Sequence, residues 1–180
     1  MPRWLPNFLT IARLLLVPFI IRAILLALHT EALVLFACAA LTDLLDGAIA
    51  RHFQITSPTG AYLDPVADKV LLSGVFLALA FGGYLPWWLV VVIFCRDLYI
   101  LSAVLLLLWL TPLRKFPPSE WGKASTLFQV LTAVVWMARN LLDVPVLSGL
   151  SLVILWPCAA LTIWSGVHYT WRGVQLVRAH

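Results

Sequence analysis

Six apolar stretches, each close to the roughly 20 residues a helix needs to cross a bilayer, take up nearly all of this 180-residue chain. They run roughly over 8–28, 32–51, 60–83, 87–110, 122–142 and 147–170, with breaks rich in proline, glycine and charge between them. The sharpest break is Leu110-Thr111-Pro112-Leu113-Arg114-Lys115-Phe116-Pro117-Pro118, where prolines and paired cations end a lipid-facing helix. The turn Gly82-Gly83-Tyr84-Leu85-Pro86 is nearly as clear, and Asp143-Val144-Pro145 is the least marked. With 63% hydrophobic and only 11% charged residues, the chain departs far from the roughly half apolar and quarter charged make-up of a soluble domain. A water-soluble globule, a disordered chain and a fibrous repeat are all excluded. The pattern predicts one all-α domain over 1–180, a polytopic bundle of six transmembrane helices.

Six spans put both termini on one side. That side collects Arg3, Arg51, Arg114, Lys115, Lys123, Arg172 and Arg178, and the opposite loops hold only Arg139. The excess of cations predicts cytoplasmic termini. Nine Trp, nine Phe and four Tyr suit a chain whose helix ends lie at two membrane interfaces, with Trp87 and Trp88 as belt anchors. Arg13 and Arg22 interrupt the first apolar run, which argues against a cleaved signal peptide. Cys38, Cys95 and Cys158 are scattered, without metal or disulfide spacing. The formal charge of +4 reads as topology, and no nucleic-acid partner is expected.

The informative residues are the charges inside the apolar runs. Asp43, Asp46, Asp64, Asp68 and Asp97 fall there, with Arg13, Arg22, Lys69 and Arg96. Each ionised group at mid-bilayer costs roughly 2.5–3.5 kcal/mol even on a mild insertion scale, so these side chains face a wet cavity, a cation or one another. Asp43, Asp46, Gly47 and Ala50 share one face of the second helix, and Gly60, Asp64 and Asp68 share one face of the third. The short loop 52–59 joins the two helices, so four carboxylates can converge. Their mutual repulsion calls for cations, and carboxylate oxygens are the preferred ligands of Mg²⁺, Mn²⁺ or Ca²⁺. A divalent-metal site, with room for two ions, is the expectation. Gly47, Ala50 and Gly60 leave a cleft beside it, and Arg51 at its cytoplasmic rim presents a planar fork suited to phosphate. Metal beside an arginine points to chemistry on a phosphate or pyrophosphate; from the carboxylates alone, a cation or proton pathway stays open.

Asp43-Leu-Leu-Asp46-Gly47-Ala-Ile-Ala50-Arg51, then eight residues, then Gly60-Ala-Tyr-Leu-Asp64-Pro-Val-Ala-Asp68, matches the pattern D-x₂-D-G-x₂-A-R-x₈-G-x₃-D-x₃-D at all eight fixed positions. A chance match is on the order of 10⁻¹⁰ per starting residue. In this pattern the chain resembles the CDP-alcohol phosphatidyltransferase family. The likeness extends to Pro6-Asn7-Phe-Leu-Thr10-Ile-Ala-Arg13 and to Lys69 after the last aspartate.

The resemblance implies transfer of a phosphatidyl or similar group from a CDP-linked lipid to an alcohol, with release of CMP. It implies that Asp43, Asp46, Asp64 and Asp68 hold Mg²⁺ or Mn²⁺, and that Asp68 is also the base that takes the acceptor's proton. Gly47, Ala50, Arg51 and Gly60 would line the cytidine-diphosphate pocket. Arg96, Asp97 and Lys123 are the candidates for binding the acceptor. The segment Pro118-Ser-Glu-Trp-Gly122-Lys123-Ala-Ser125-Thr126 looks like the Gly-Lys-x-Lys-Thr region of members that use glycerol 3-phosphate, with Ser125 in place of the second Lys. Arg96-Asp97 and the missing cations look more like members that use phosphatidylglycerol and form cardiolipin. Glycerol 3-phosphate is the expected acceptor and phosphatidylglycerol the alternative, with CDP-diacylglycerol as donor. A homodimer in a bacterial cell membrane, its active site cytoplasmic, also comes from the resemblance. Arg13 and Arg22 remain open between ion-pair partners and snorkelling side chains. Arg13, which shares a helical face with Asn7 and Thr10, is the one of the two with a site role in prospect.

Overall fold

The computed structural model describes residues 5–53, 60–110, 119–142 and 144–178, with side chains chiefly over 10–43, 66–104, 119–142 and 144–172. The described residues form six α-helices and no strand: α1 Leu5–Leu25, α2 His29–Phe53, α3 Gly60–Phe81, α4 Trp87–Leu110, α5 Glu120–Leu141 and α6 Pro145–Arg178. These bounds follow the six apolar stretches closely. The largest difference is at the end of α6, which runs on through Gly173 to Arg178, with no proline after the apolar run.

Local chemistry sets the ends. α3 closes in a Schellman turn: the Tyr84 amide donates to the Leu79 carbonyl (2.8 Å) and the Gly83 amide to that of Ala80 (3.0 Å). Gly83 takes φ +75° there, which costs glycine nothing. α1 ends in the same way, with Leu28 bonded to Ala23 (2.9 Å) and Ala27 to Ile24 (3.1 Å). Its left-handed position is filled by Ala27 at φ 58°, where a Cβ is unfavourable. α5 starts on Ser119, whose Oγ accepts the Gly122 amide at 3.0 Å. α6 starts on Pro145, which lacks the amide hydrogen that a first helical position would leave unpaired.

The chain makes two compact units, one of Met1–Leu85 with Trp136–Asp143, the other of Pro86–Val135 with Val144–His180. In the first, α1 packs on both α2 and α3. Its buried stripe is Thr10, Arg13, Val17, Ile20 and Ile24, at the three-and-four spacing of one helical face. α2 answers with Ala32, Phe36 and Ala39, and α3 with Ala67, Leu71, Leu72 and Val75. Gly74 lets α3 come close: a Cβ there would lie 3.0 Å from Ile21 Cδ1 and 3.3 Å from Val17 Cγ1. In the second unit α4 packs on α6, and the buried faces of α5 and α6 are polar and small: Ser125, Gln129 and Thr132 on one, Ser151, Cys158, Thr162 and Ser165 on the other. Such faces let helices associate without relying on apolar burial.

Among the described residues, Trp87–Val104 and Pro145–Arg172 are long and apolar enough to cross a membrane. Only 17% and 33% of their apolar windows are buried, so most of each window faces outward. Large apolar side chains point outward, among them Trp109, Trp156, Val146 and Phe81.

Two substitutions test this packing in thermal unfolding of detergent-solubilised protein. Gly74→Leu forces α1 from α3 and is expected to destabilise by about 1–3 kcal/mol, the usual cost of overpacking. Ala27→Gly relieves the left-handed cap of α1 and is expected to stabilise by about 1 kcal/mol.

Candidate active site

The first unit places a guanidinium between two of the motif's carboxylates. Arg13 Nη1 lies 2.8 Å from Asp43 Oδ1 and 2.6 Å from Asp68 Oδ1. One nitrogen donates a hydrogen bond to Asp68 on α3 and forms an ion pair with Asp43 on α2. Helical periodicity explains the meeting. Asp43 falls one turn beyond Ala39 on the buried stripe of α2, and Asp68 one turn before Leu71 and Leu72 on that of α3. Arg13 sits on the α1 stripe that both pack against. Its side chain is 1% exposed, against 42% for Asp43 and 39% for Asp68. The cation is enclosed and the anions are open to an incoming ligand. Arg13 Nε and Nη2 are buried with no hydrogen-bond partner among the described residues. Arg22, by contrast, is exposed in the last turn of α1, where a cation faces the helix's negative end.

Asp46, Gly47, Ala50 and Arg51 lie on α2, and Gly60 and Asp64 on α3, at the expected helical spacings. Their side chains are outside the described residues. Among the described residues no group of three or more His, Cys, Asp or Glu assembles, and the pair Asp43 and Asp68 is the part of the expected metal set that can be placed. Its chemistry fits a hard divalent cation: two carboxylates converge, half-exposed, with oxygen atoms as donors.

Arg13 is the site residue that sequence reasoning left unassigned. The available signal was its register, a charge three residues after Thr10 and four before Val17 on the most buried face of α1. Register alone could not say which acids it would meet.

In the second unit Arg96 is held by two hydrogen bonds. Its Nη1 bonds Asp97 Oδ1 at 2.8 Å and its Nε donates to Ser165 Oγ on α6 at 2.8 Å. Its Nη2 faces the first turn of α5, where a Cβ on Gly122 would lie 3.6 Å away. Side-chain exposure is 10% for Arg96 and 20% for Asp97, so this pair is an enclosed contact. From Ser165 the bonding continues to the Thr162 carbonyl, and Thr162 Oγ1 meets Ser125 Oγ at 3.2 Å, with the Gln129 amide reaching both. Ser125, which stands where the resembling members carry a lysine, is thus part of a buried hydroxyl network. Lys123 lies on the surface, paired with Glu120 at 2.8 Å. Of the acceptor candidates, Arg96 and Asp97 come together, and Lys123 is engaged with its own helix.

Comparison with known proteins agrees with the motif. The family model for CDP-alcohol phosphatidyltransferase matches residues 3–164. A probable phosphatidylglycerophosphate synthase of Mycobacterium tuberculosis (strain ATCC 25618 / H37Rv) is 32% identical over 180 residues, covering 95% of this chain and 82% of its own. The CDP-diacylglycerol--glycerol-3-phosphate 3-phosphatidyltransferase of Haemophilus influenzae is 33% identical over 175 residues, covering 92% and 90%. The cardiolipin synthase (CMP-forming) of Rattus norvegicus is 32% identical over 197 residues, covering 98% of this chain and 65% of its own.

The Arg96 contacts make a stability prediction independent of activity. Arg96→Met removes the hydrogen bonds to Asp97 Oδ1 and to Ser165 Oγ and is expected to cost about 1–3 kcal/mol, whereas Ser165→Ala removes the bond from Arg96 and the one to the Thr162 carbonyl and costs about 1–2 kcal/mol. Unfolding curves in detergent that place both variants at the wild-type midpoint would contradict the geometry.

Proposed function

Because the chain belongs to the CDP-alcohol phosphatidyltransferase family, we propose that it transfers a phosphatidyl group from CDP-diacylglycerol to glycerol 3-phosphate. The products are phosphatidylglycerophosphate and CMP. The observation that carries this reading is the complete eight-position motif, whose first and last aspartates converge on Arg13. Family membership favours this reading of the carboxylates over a cation or proton pathway. The printed names of the Mycobacterium and Haemophilus relatives support the product and the acceptor.

In this reading Asp43, Asp46, Asp64 and Asp68 hold one or two Mg²⁺ or Mn²⁺ ions. Bound there, the metal supplies charge neutralisation for the pyrophosphate and for the departing CMP. Asp68 takes the proton from the acceptor hydroxyl, whose oxygen bonds to the phosphatidyl phosphorus as the bond to CMP breaks. Gly47, Ala50 and Gly60 leave room for the cytidine diphosphate, and Arg51 donates to its phosphates. Arg96 and Lys123 supply cations for the acceptor's phosphate, with Asp97 fixing Arg96. The six helices cross a cell membrane with the motif toward the cytoplasm, so the acyl chains of donor and product stay in lipid. A homodimer is part of this reading.

A second reading has phosphatidylglycerol as acceptor and cardiolipin as product. It is favoured by Asp97 and by Ser125, whose burial in a hydroxyl network leaves no second cation at that position. The rat relative's name points the same way.

The test is CMP release by purified protein with CDP-diacylglycerol and Mg²⁺ or Mn²⁺, run in parallel with glycerol 3-phosphate and phosphatidylglycerol. Release with glycerol 3-phosphate alone is expected; release with phosphatidylglycerol alone selects the second reading, and release with neither rejects both. Chelation should abolish turnover. Asp68→Asn should lower it by roughly 10²–10⁴-fold, the usual contribution of a positioned base, and a variant that retained full turnover would remove Asp68 from that role.

A further inference from the structure

We infer that Arg13 is a positioning residue for the transfer reaction: it aims Asp43 and Asp68, and through them sets the affinity for the divalent metal. This inference rests on the metal-dependent reading above. Three features of the geometry carry it.

First, one nitrogen serves both acids, at 2.8 and 2.6 Å, so carboxylates from two helices are oriented toward a shared group. Second, the burial is one-sided. Arg13 is enclosed at 1% exposure, and the two acids are each about two-fifths exposed. The guanidinium therefore lies behind the carboxylates, and their exposed sides are where a metal ion or substrate would arrive. Third, Nε and Nη2 are buried without partners among the described residues. A buried arginine kept only for packing normally has its donors satisfied by backbone carbonyls or side chains. Here the described bonds go to the motif's acids alone.

Groups behind a metal's ligands commonly change metal affinity by 10–100-fold when removed. Arginine's rigid, planar donors define directions that a lysine ammonium, a mobile point charge, does not. Lysine at position 13 would keep the charge balance that lets the acids sit together but lose the aim.

The experiment compares wild type, Arg13→Lys and Arg13→Gln, each purified in detergent, by titration with Mn²⁺ followed by electron paramagnetic resonance without substrates. Thermal unfolding in chelator and CMP release are measured alongside. Arg13→Lys is expected to unfold near the wild-type temperature in chelator while binding Mn²⁺ at least 10-fold more weakly and releasing CMP more slowly. Arg13→Gln is expected to show a larger loss of Mn²⁺ affinity. If Arg13→Gln does not fold, Arg13→Lys decides alone. Mn²⁺ affinity and turnover at wild-type levels in Arg13→Lys overturn the inference and leave Arg13 as a structural counter-ion. Wild-type protein that binds no Mn²⁺ overturns the metal reading itself, and the inference with it.

Discussion

A buried cation shared by two acids from separate helices is the constraint around which the first unit is organised. Two carboxylates bonded to one nitrogen are close neighbours, and at a separation of about 5 Å they repel by on the order of 3 kcal/mol for an effective dielectric near 20. Both are about two-fifths exposed, so solvent lowers that figure. Arg13 attracts each from a shorter distance and turns the repulsive pair into a bridged one. The arrangement is asymmetric in its consequences. A buried ion pair contributes little net stability, yet removing one partner is strongly destabilising because it leaves the other charge uncompensated.

The two units differ in how polar their helix contacts are. In the first, α1 meets α2 and α3 through an apolar stripe of Val17, Ile20, Ile24, Phe36, Leu71 and Val75, with Gly74 permitting close approach. Arg13 stands at one end of that stripe as its single described cation. The apolar packing fixes the helix faces, and the faces bring the charges into register. In the second unit buried Leu89, Val90, Ile93 and Leu155 are joined by a polar network of hydroxyls, an amide and a guanidinium, running from Asp97 through Arg96 and Ser165 to Thr162, Ser125 and Gln129. Hydrogen bonds are directional, so this network specifies rotation and sliding of the helices more tightly than methyl groups would.

Much of this was legible in the residues. The six helices follow from runs of apolar residues and from proline and glycine breaks, which are local properties of the chain. The turn after α3 was marked by Gly83, which alone takes a left-handed φ without cost, and the start of α6 by Pro145, whose φ is fixed near the helical value. The motif was legible because its chemistry needs particular atoms at particular spacings. The fate of Ser125 was less legible: the resemblance implied a missing lysine, but not that the hydroxyl is buried against Thr162 and Gln129.

Sequence alone determined the helices, the family and the set of acids, because these depend on periodicity and on residue identity at short range. Tertiary structure decided which charges meet. Arg13 is 30 residues from Asp43 and 55 from Asp68, and no local rule relates such positions. Only the docking of α1 against α2 and α3 brings one guanidinium nitrogen within hydrogen-bonding distance of both acids, because the direction of a side chain depends on which helix face is buried and against what.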